Sequence, residues 1–300
     1  YGVVGCNRTG LDRIMDCRTC RSYAVTASGE VLLDEASPVS AVWIVDHPLE
    51  GGRLRSDIRE AKMSERRPEE FGELYLDVGG LDDFGGLWGL PAGGPLDVRC
   101  VVPESLEQAA SLLGLAAEDC DSAATLLVLP RGIGAFSGEE LARIVEERPM
   151  AIVADLSGPN GERPSYGLFS SERCISFLSR ESFAVVDFGP ARIAVVRAES
   201  LTHPEVAVSL SKQGCDLLIT CPDRFGPDER LVLGVKCLDR SAIAAVSREG
   251  AMICEPPKGH EAWKEALVTG HGVCSGRLDT VALRSKRFYD RVDMEVLLRR

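Results

Sequence analysis

The chain has 300 residues, 45% of them apolar and 27% charged, with a formal net charge of -12. That length supports one large domain or two ordinary ones with a full core. The acidic balance, with Arg and Lys dispersed, excludes a nucleic-acid footprint, which needs a positive stripe to meet phosphates. The longest apolar runs, Ile193 to Val196 and Asp216 to Thr220, are strand-length and far short of a membrane span.

Stretches near the start of the chain recur near its end. Val3 to Gly10 (VVGCNRTG) matches Ile243 to Gly250 (IAAVSREG): each is an apolar run closing on Asn/Ser-Arg-x-Gly. Ser28 to Ala36 (SGEVLLDEA) pairs with Gly259 to Ala266 (GHEAWKEA), and Leu49 to Asp57 (LEGGRLRSD) with Leu278 to Lys286 (LDTVALRSK), in the same order. A period this long is no solenoid. It predicts two copies of one domain, the first represented only by its C-terminal part over residues 1–77. The run VGGLDDFGGLWGLPAGGP over residues 78–95 is rich in Gly, Asp and Pro and reads as a linker. A complete second copy is then expected over residues 96–300.

From Leu96 the pattern alternates. Leu96 to Val102 predicts a strand, and Pro103 to Cys120 a helix opened by Pro and acids. Ala124 to Pro130 is a short buried strand, Gly138 to Arg148 an amphipathic helix, and Met150 to Leu156 a strand before a turn-dense loop, Ser157 to Ser165. Ser182 to Ala198 predicts a hairpin turning at Gly189-Pro190. A helix over Pro204 to Lys212, a strand over Asp216 to Pro222, a helix over Glu229 to Arg240 and a strand over Ser241 to Arg248 lead to a terminal hairpin and tail. Such alternation predicts a layered α/β domain.

Gly189 to Pro222 (GPARIAVVRAESLTHPEVAVSLSKQGCDLLITCP) resembles the nitrilase superfamily of carbon–nitrogen hydrolases: Gly-x-Arg-Ile, an apolar strand, an elbow, Pro-Glu, a helix, Gly-x-Asp and a strand ending in Pro. Leu129-Pro130-Arg131 stands where the family has Leu-Pro-Glu. Tyr1 to Gly10, Ser28 to Leu32 and Ser64 to Leu76 resemble the closing quarter of such a domain. The resemblance implies a four-layer α-β-β-α sandwich. It also implies amide chemistry by a Cys nucleophile, a Glu general base and a Lys that stabilises the tetrahedral intermediate.

Carried over residue by residue, the Glu position falls on Arg131 and the nucleophile, six residues before Pro204, on Ala198. No Lys occurs between Lys62 and Lys212. Arg173 or Arg180 occupies that neighbourhood, but a planar guanidinium replaces a compact ammonium poorly. With all three roles vacant, the second copy is expected to be catalytically silent. Its expected role is to pair, through a pseudo-two-fold interface, with itself or with an active nitrilase-like copy. Two alternatives stay open: an active hydrolase with its triad in the upstream copy or a rearranged site, and a small-anion binding module using the arginines of the old pocket.

The candidate pocket comprises Arg131, Arg173, Arg197, Glu199 and Cys221. Arg131, Arg197 and Glu199 read either as an anion site or as a salt-bridged plug, with the plug favoured because buried charges tend to be paired. Cys221 at a strand end is a displaced nucleophile, with His203 and Glu205 on the preceding elbow, or a buried thiol; the thiol reading is preferred. Cys17-Arg-Thr-Cys20 with Cys6 invites a metal, but no second Cys pair exists and all four histidines lie beyond residue 46. No metal or cofactor is expected. His260 and Trp263 read as edge or interface residues. Eleven scattered cysteines fit reduced thiols and a cytoplasmic location better than a disulfide framework.

Overall fold

The computed structural model describes residues 2–7, 20–26, 28–37, 39–46, 72–75, 84–105, 108–109, 111–114, 124–131, 138–145, 150–155, 165–170, 174–178, 183–238, 240–257 and 263–286. The chain divides into two compact units, Tyr1–Arg67 and Pro68–Arg300.

In the first unit, β1 (Val3–Gly5), β2 (Arg21–Val25) and β3 (Val31–Ala36) form an antiparallel meander. Its β2–β3 turn is held by Thr26, which accepts from the Glu30 amide at 3.0 Å, and by Gly29 at φ +88°. Only alternate residues of β2 are buried, Ser22 and Ala24, and Val3, Val4 and Val31 are exposed.

The second unit opens on a 3₁₀ turn at Gly72–Tyr75 and a one-turn helix α1 (Phe84–Trp88). Its described residues also form two six-stranded sheets. One has the order β15-β4-β5-β6-β7-β8, with β4 (Pro95–Val102), β5 (Ala124–Val128), β6 (Met150–Asp155), β7 (Ser165–Ser170), β8 (Cys174–Leu178) and β15 (Gly272–Asp279). The other has the order β14-β13-β12-β11-β10-β9, with β9 (Phe183–Phe188), β10 (Ala191–Val196), β11 (Leu217–Thr220), β12 (Ala242–Val246), β13 (Gly250–Glu255) and β14 (Lys264–Thr269). The helices among the described residues include α2 (Gly138–Val145), α3 (Ala198–Leu201), α4 (Pro204–Lys212), α5 (Pro227–Cys237) and α6 (Thr280–Leu283).

The period of two in each strand sorts side chains into three apolar layers. Leu126, Val128, Ala151 and Val153 from one sheet meet Ile193, Val195, Leu217, Ile219, Ala242 and Ala244 from the other. The intervening residues face outward. Ala194, Val196, Leu218, Ile243 and Ala245 pack on Val206, Leu210 and Leu233 of α4 and α5. Leu127 and Ile152 pack on Leu141 and Val145 of α2. The result is the α-β-β-α sandwich. Near-continuous burial of β11 and β12 is what strands covered on both faces require.

The predicted hairpin over 182–198 appears as β9–β10, with Gly189 at φ +52° in its turn; a Cβ there would stand 2.7 Å from that of Ala124. The helix over 204–212 appears as α4, closed by Gly214 at φ +86°. Of the helix over 103–120, residues 108–109 and 111–114 are described and helical. Strands β7 and β8 were not anticipated. Residues 84–94, expected within a linker, are ordered within the second unit. Thr280 Oγ1 accepts from the Gly94 amide at 2.9 Å, and the Thr280 amide donates to the Gly94 carbonyl at 3.1 Å.

Candidate functional site

In a parallel α/β arrangement the carboxyl ends of the strands carry the site. Here the ends of β5, β10 and β11 converge. Beyond β10 the chain turns into α3 with Arg197 as its extended N-cap (φ -64°, ψ 137°), so Ala198, the residue that the sequence resemblance aligns with the nucleophile, starts the helix and presents only a methyl group. Beyond β5, Arg131 reaches across to the end of β11, where its Nη1 lies 3.3 Å from Asp223 Oδ1. Arg197 Nε lies 3.8 Å from Glu199 Oε2. Both sequence-identified arginines of this region thus face a carboxylate. Asp223 is 71% exposed, so its pair with Arg131 contributes little stability. It places an ion pair over the strand ends.

Cys221 behaves as a core residue. It is 2% exposed, belongs to the layer between the sheets, and its thiol donates to the Leu129 carbonyl at 3.4 Å. That contact ties the end of β11 to the end of β5. His203 is the N-cap of α4 and Glu205 lies in its first turn. Arg173, Arg180, Cys17 and His260 lie outside the described residues.

A cleft of about 460 Å³ opens beside Ala198, lined among others by Glu199, Thr202, Asp223, Arg224, Asp228 and Glu229. Leu201, Val232 and Leu233 supply its apolar wall. Its carboxylates outnumber its one guanidinium, which sequence reading missed because these acids come from three separate segments. Glu229 is partly committed: its Oε2 accepts from the Gly226 amide at 3.0 Å, capping α5.

The opposite end of β11 holds a second polar cluster. Asp216, fully buried, accepts from Arg284 Nε at 3.2 Å, from Arg284 Nη2 at 3.0 Å and from the Arg192 amide at 2.9 Å. Arg284 also donates to the carbonyls of Pro91 at 2.6 Å and Pro190 at 2.7 Å. Lys286 Nζ donates to the carbonyls of Cys215 (2.6 Å) and Arg240 (2.8 Å) and to Ser241 Oγ (3.2 Å). Burial of its ammonium lowers the Lys286 pKa to about 8, with Asp216 opposing. This cluster is structural: every group is consumed in fastening α6 and residues 284–286 to the sandwich.

Trp263 packs over Gly234 of α5, where a Cβ would come within 2.6 Å of the indole, and its Nε1 donates to Glu265 at 3.3 Å. Among the described residues no group of three His, Cys, Asp or Glu is arranged to hold a metal. Cys6 and Cys20 line a groove of about 540 Å³ within the first unit. No described helix is long and apolar enough to cross a membrane.

No protein-family model matches the chain, and no curated protein sequence matches it. Solved structures do. Nit3 of Saccharomyces cerevisiae, a member of branch 10 of the nitrilase superfamily, superposes with a TM-score of 0.51 at 13% identity, over 64% of this chain and 93% of that one. A mutant of an amidase from Nesterenkonia, also of the nitrilase superfamily, superposes with a TM-score of 0.50 at 15% identity, over 69% of this chain and 98% of that one. At such identities the likeness is one of fold: the chain shares the fold of these nitrilase-superfamily structures.

Proposed function

We propose that the second unit is a catalytically silent carbon–nitrogen hydrolase fold whose work is to pair with a nitrilase-like copy, its own or an active one. The observation that carries this reading is the composition of the strand ends: a methyl group at Ala198, and Arg131 held against Asp223 where a general base belongs. Attack on an amide needs a nucleophile with a proton acceptor in reach. Cys221, the thiol at the end of β11, is spent on the Leu129 carbonyl inside the core.

The pairing half of the proposal is supported by α5. Leu231, Val235 and Leu238 recur at helical spacing and are 58%, 45% and 43% exposed, with Val232 beside them. A contiguous apolar stripe on a surface helix marks an interaction face. The tandem reading is supported by the first unit, whose β1-β2-β3 meander repeats the order and antiparallel pairing of β12-β13-β14. Nearly the full length of each structural relative is also accommodated by about two thirds of this chain. The acidic cleft weighs against the small-anion reading.

Sedimentation of the whole chain tests the pairing. A self-associating species that Leu231→Glu with Val235→Glu converts to monomer is the expected result. A monomer at all accessible concentrations, with no binding to a chain that supplies Glu, Lys and Cys in the family order, contradicts it.

A further inference from the structure

Two thiols face each other across the strand pair that joins the beginning of the sandwich to its end. The antiparallel register of β4 and β15 sets Cys274 directly opposite Cys100. Both side chains belong to the layer between the sheets, together with Leu96, Val98 and Leu278 of the same two strands. Directly opposed residues of an antiparallel pair have Cα atoms about 4.5–5.5 Å apart. A disulfide spans Cα separations of about 4.4–6.8 Å, so the register alone satisfies its main geometric demand.

The pair also has a route to oxidant. β15 is the edge strand of its sheet, and of its eight residues only Cys274 and Leu278 are buried. An edge strand held on one side opens at lower free-energy cost than a central one. While it is closed, burial keeps both thiols protonated, Cys274 up to about 11 and Cys100 well above its ordinary range. They are therefore inert until β15 lifts.

We propose that Cys100 and Cys274 are an oxidation site, a clasp that closes as a cross-strand disulfide and locks β15 onto β4. With hydrogen peroxide, the Cys274 thiolate attacks one peroxide oxygen and breaks the O–O bond, giving a sulfenic acid and a hydroxide that takes up the proton released by the thiol to become water. The Cys100 thiol then attacks that sulfur, forming the S–S bond and releasing a second water. Two electrons pass from the thiols to the peroxide, and the two thiol hydrogens leave in the water. The bond closes a loop that runs through nearly all of both sheets, so it restricts the unfolded chain strongly.

The test is oxidation of the whole native chain with hydrogen peroxide, followed by alkylation in denaturant, digestion and mass mapping. The expected product is one linked peptide pair carrying Cys100 and Cys274, lighter by two hydrogens and lost on reduction. The melting temperature rises on oxidation and falls back with reductant. Cys221→Ala retains the link and Cys274→Ala loses it. Full alkylation of Cys100 and Cys274 after oxidation overturns the proposal, as does a link from Cys100 to Cys221 instead.

Discussion

Asp216 shows how much of this fold rests on single polar residues. It is buried without exposure and holds the Arg284 fork and the Arg192 amide together. Asp216→Asn keeps the shape but leaves a largely buried guanidinium, 13% exposed, without its counter-charge. Breaking a buried pair from one side costs about 3–5 kcal/mol, and urea unfolding of the variant is expected to show a loss of about 3 kcal/mol. At the strand ends the expectation is the reverse. Arg131→Ala removes an ion pair with a 71%-exposed partner and should change stability by less than about 1 kcal/mol. Ala198→Cys should not create an amidase, because Arg131 cannot act as base, and ammonia release is the readout. Ala198 and Arg131 were singled out in the sequence only through the resemblance of their surroundings to the family pattern. The role of Asp216 was legible only as a Gly-x-Asp pattern. Its partner Arg284 lies far along the chain, and nothing local in LRSK announces a buried guanidinium.

The strands covered on both faces, β5, β10, β11 and β12, were the easiest elements to find. Burial on both sides forces unbroken apolar runs, and these runs end at turn residues. β7 and β8 were missed for the complementary reason: SYGLFS and CISFL mix Ser and Gly with apolar residues and come after a loop dense in turn formers. Helix α1 was missed because FGGLW opposes its own helix propensity. Tertiary contacts decide there: the adjoining Pro91 and Gly94 are gripped by Arg284 and Thr280. Gly234 on α5 is a related case. Gly234→Ala raises helix propensity yet drives a Cβ into the Trp263 ring, so the variant should melt below the wild type. The exposed side of α5 answers differently. Leu231→Glu should leave the melting temperature of the monomer nearly unchanged while weakening self-association by tenfold or more, on the order of 1.4 kcal/mol.

For the whole molecule, the cysteines set the response to alkali. Burial holds Cys215 and Cys254 up to about 12 and Cys274 up to about 11, with Cys100 also raised, against an ordinary value of about 9. Between those values the unfolded chain has lost thiol protons that the folded chain keeps, so stability falls as pH rises above about 9. Lys286 acts in the opposite sense between about 8 and 10.5, where the unfolded chain holds the extra proton. One amine against four thiols leaves a net loss, visible as a falling melting temperature from about pH 9 toward 11. The Cys215→Ala variant should show a shallower fall. The sequence conveyed the α/β layering and the scattered thiols, since each is written in local pattern or composition. It could not convey the acidic cleft, assembled from the ends of β10 and β11 and the first turn of α5. The central claim is that these strand ends carry no hydrolytic chemistry. It is tested most directly by measuring ammonia release from simple aliphatic amides by the purified chain over days. The account predicts a rate equal to that of buffer. Turnover that disappears in the Cys221→Ser variant would contradict it.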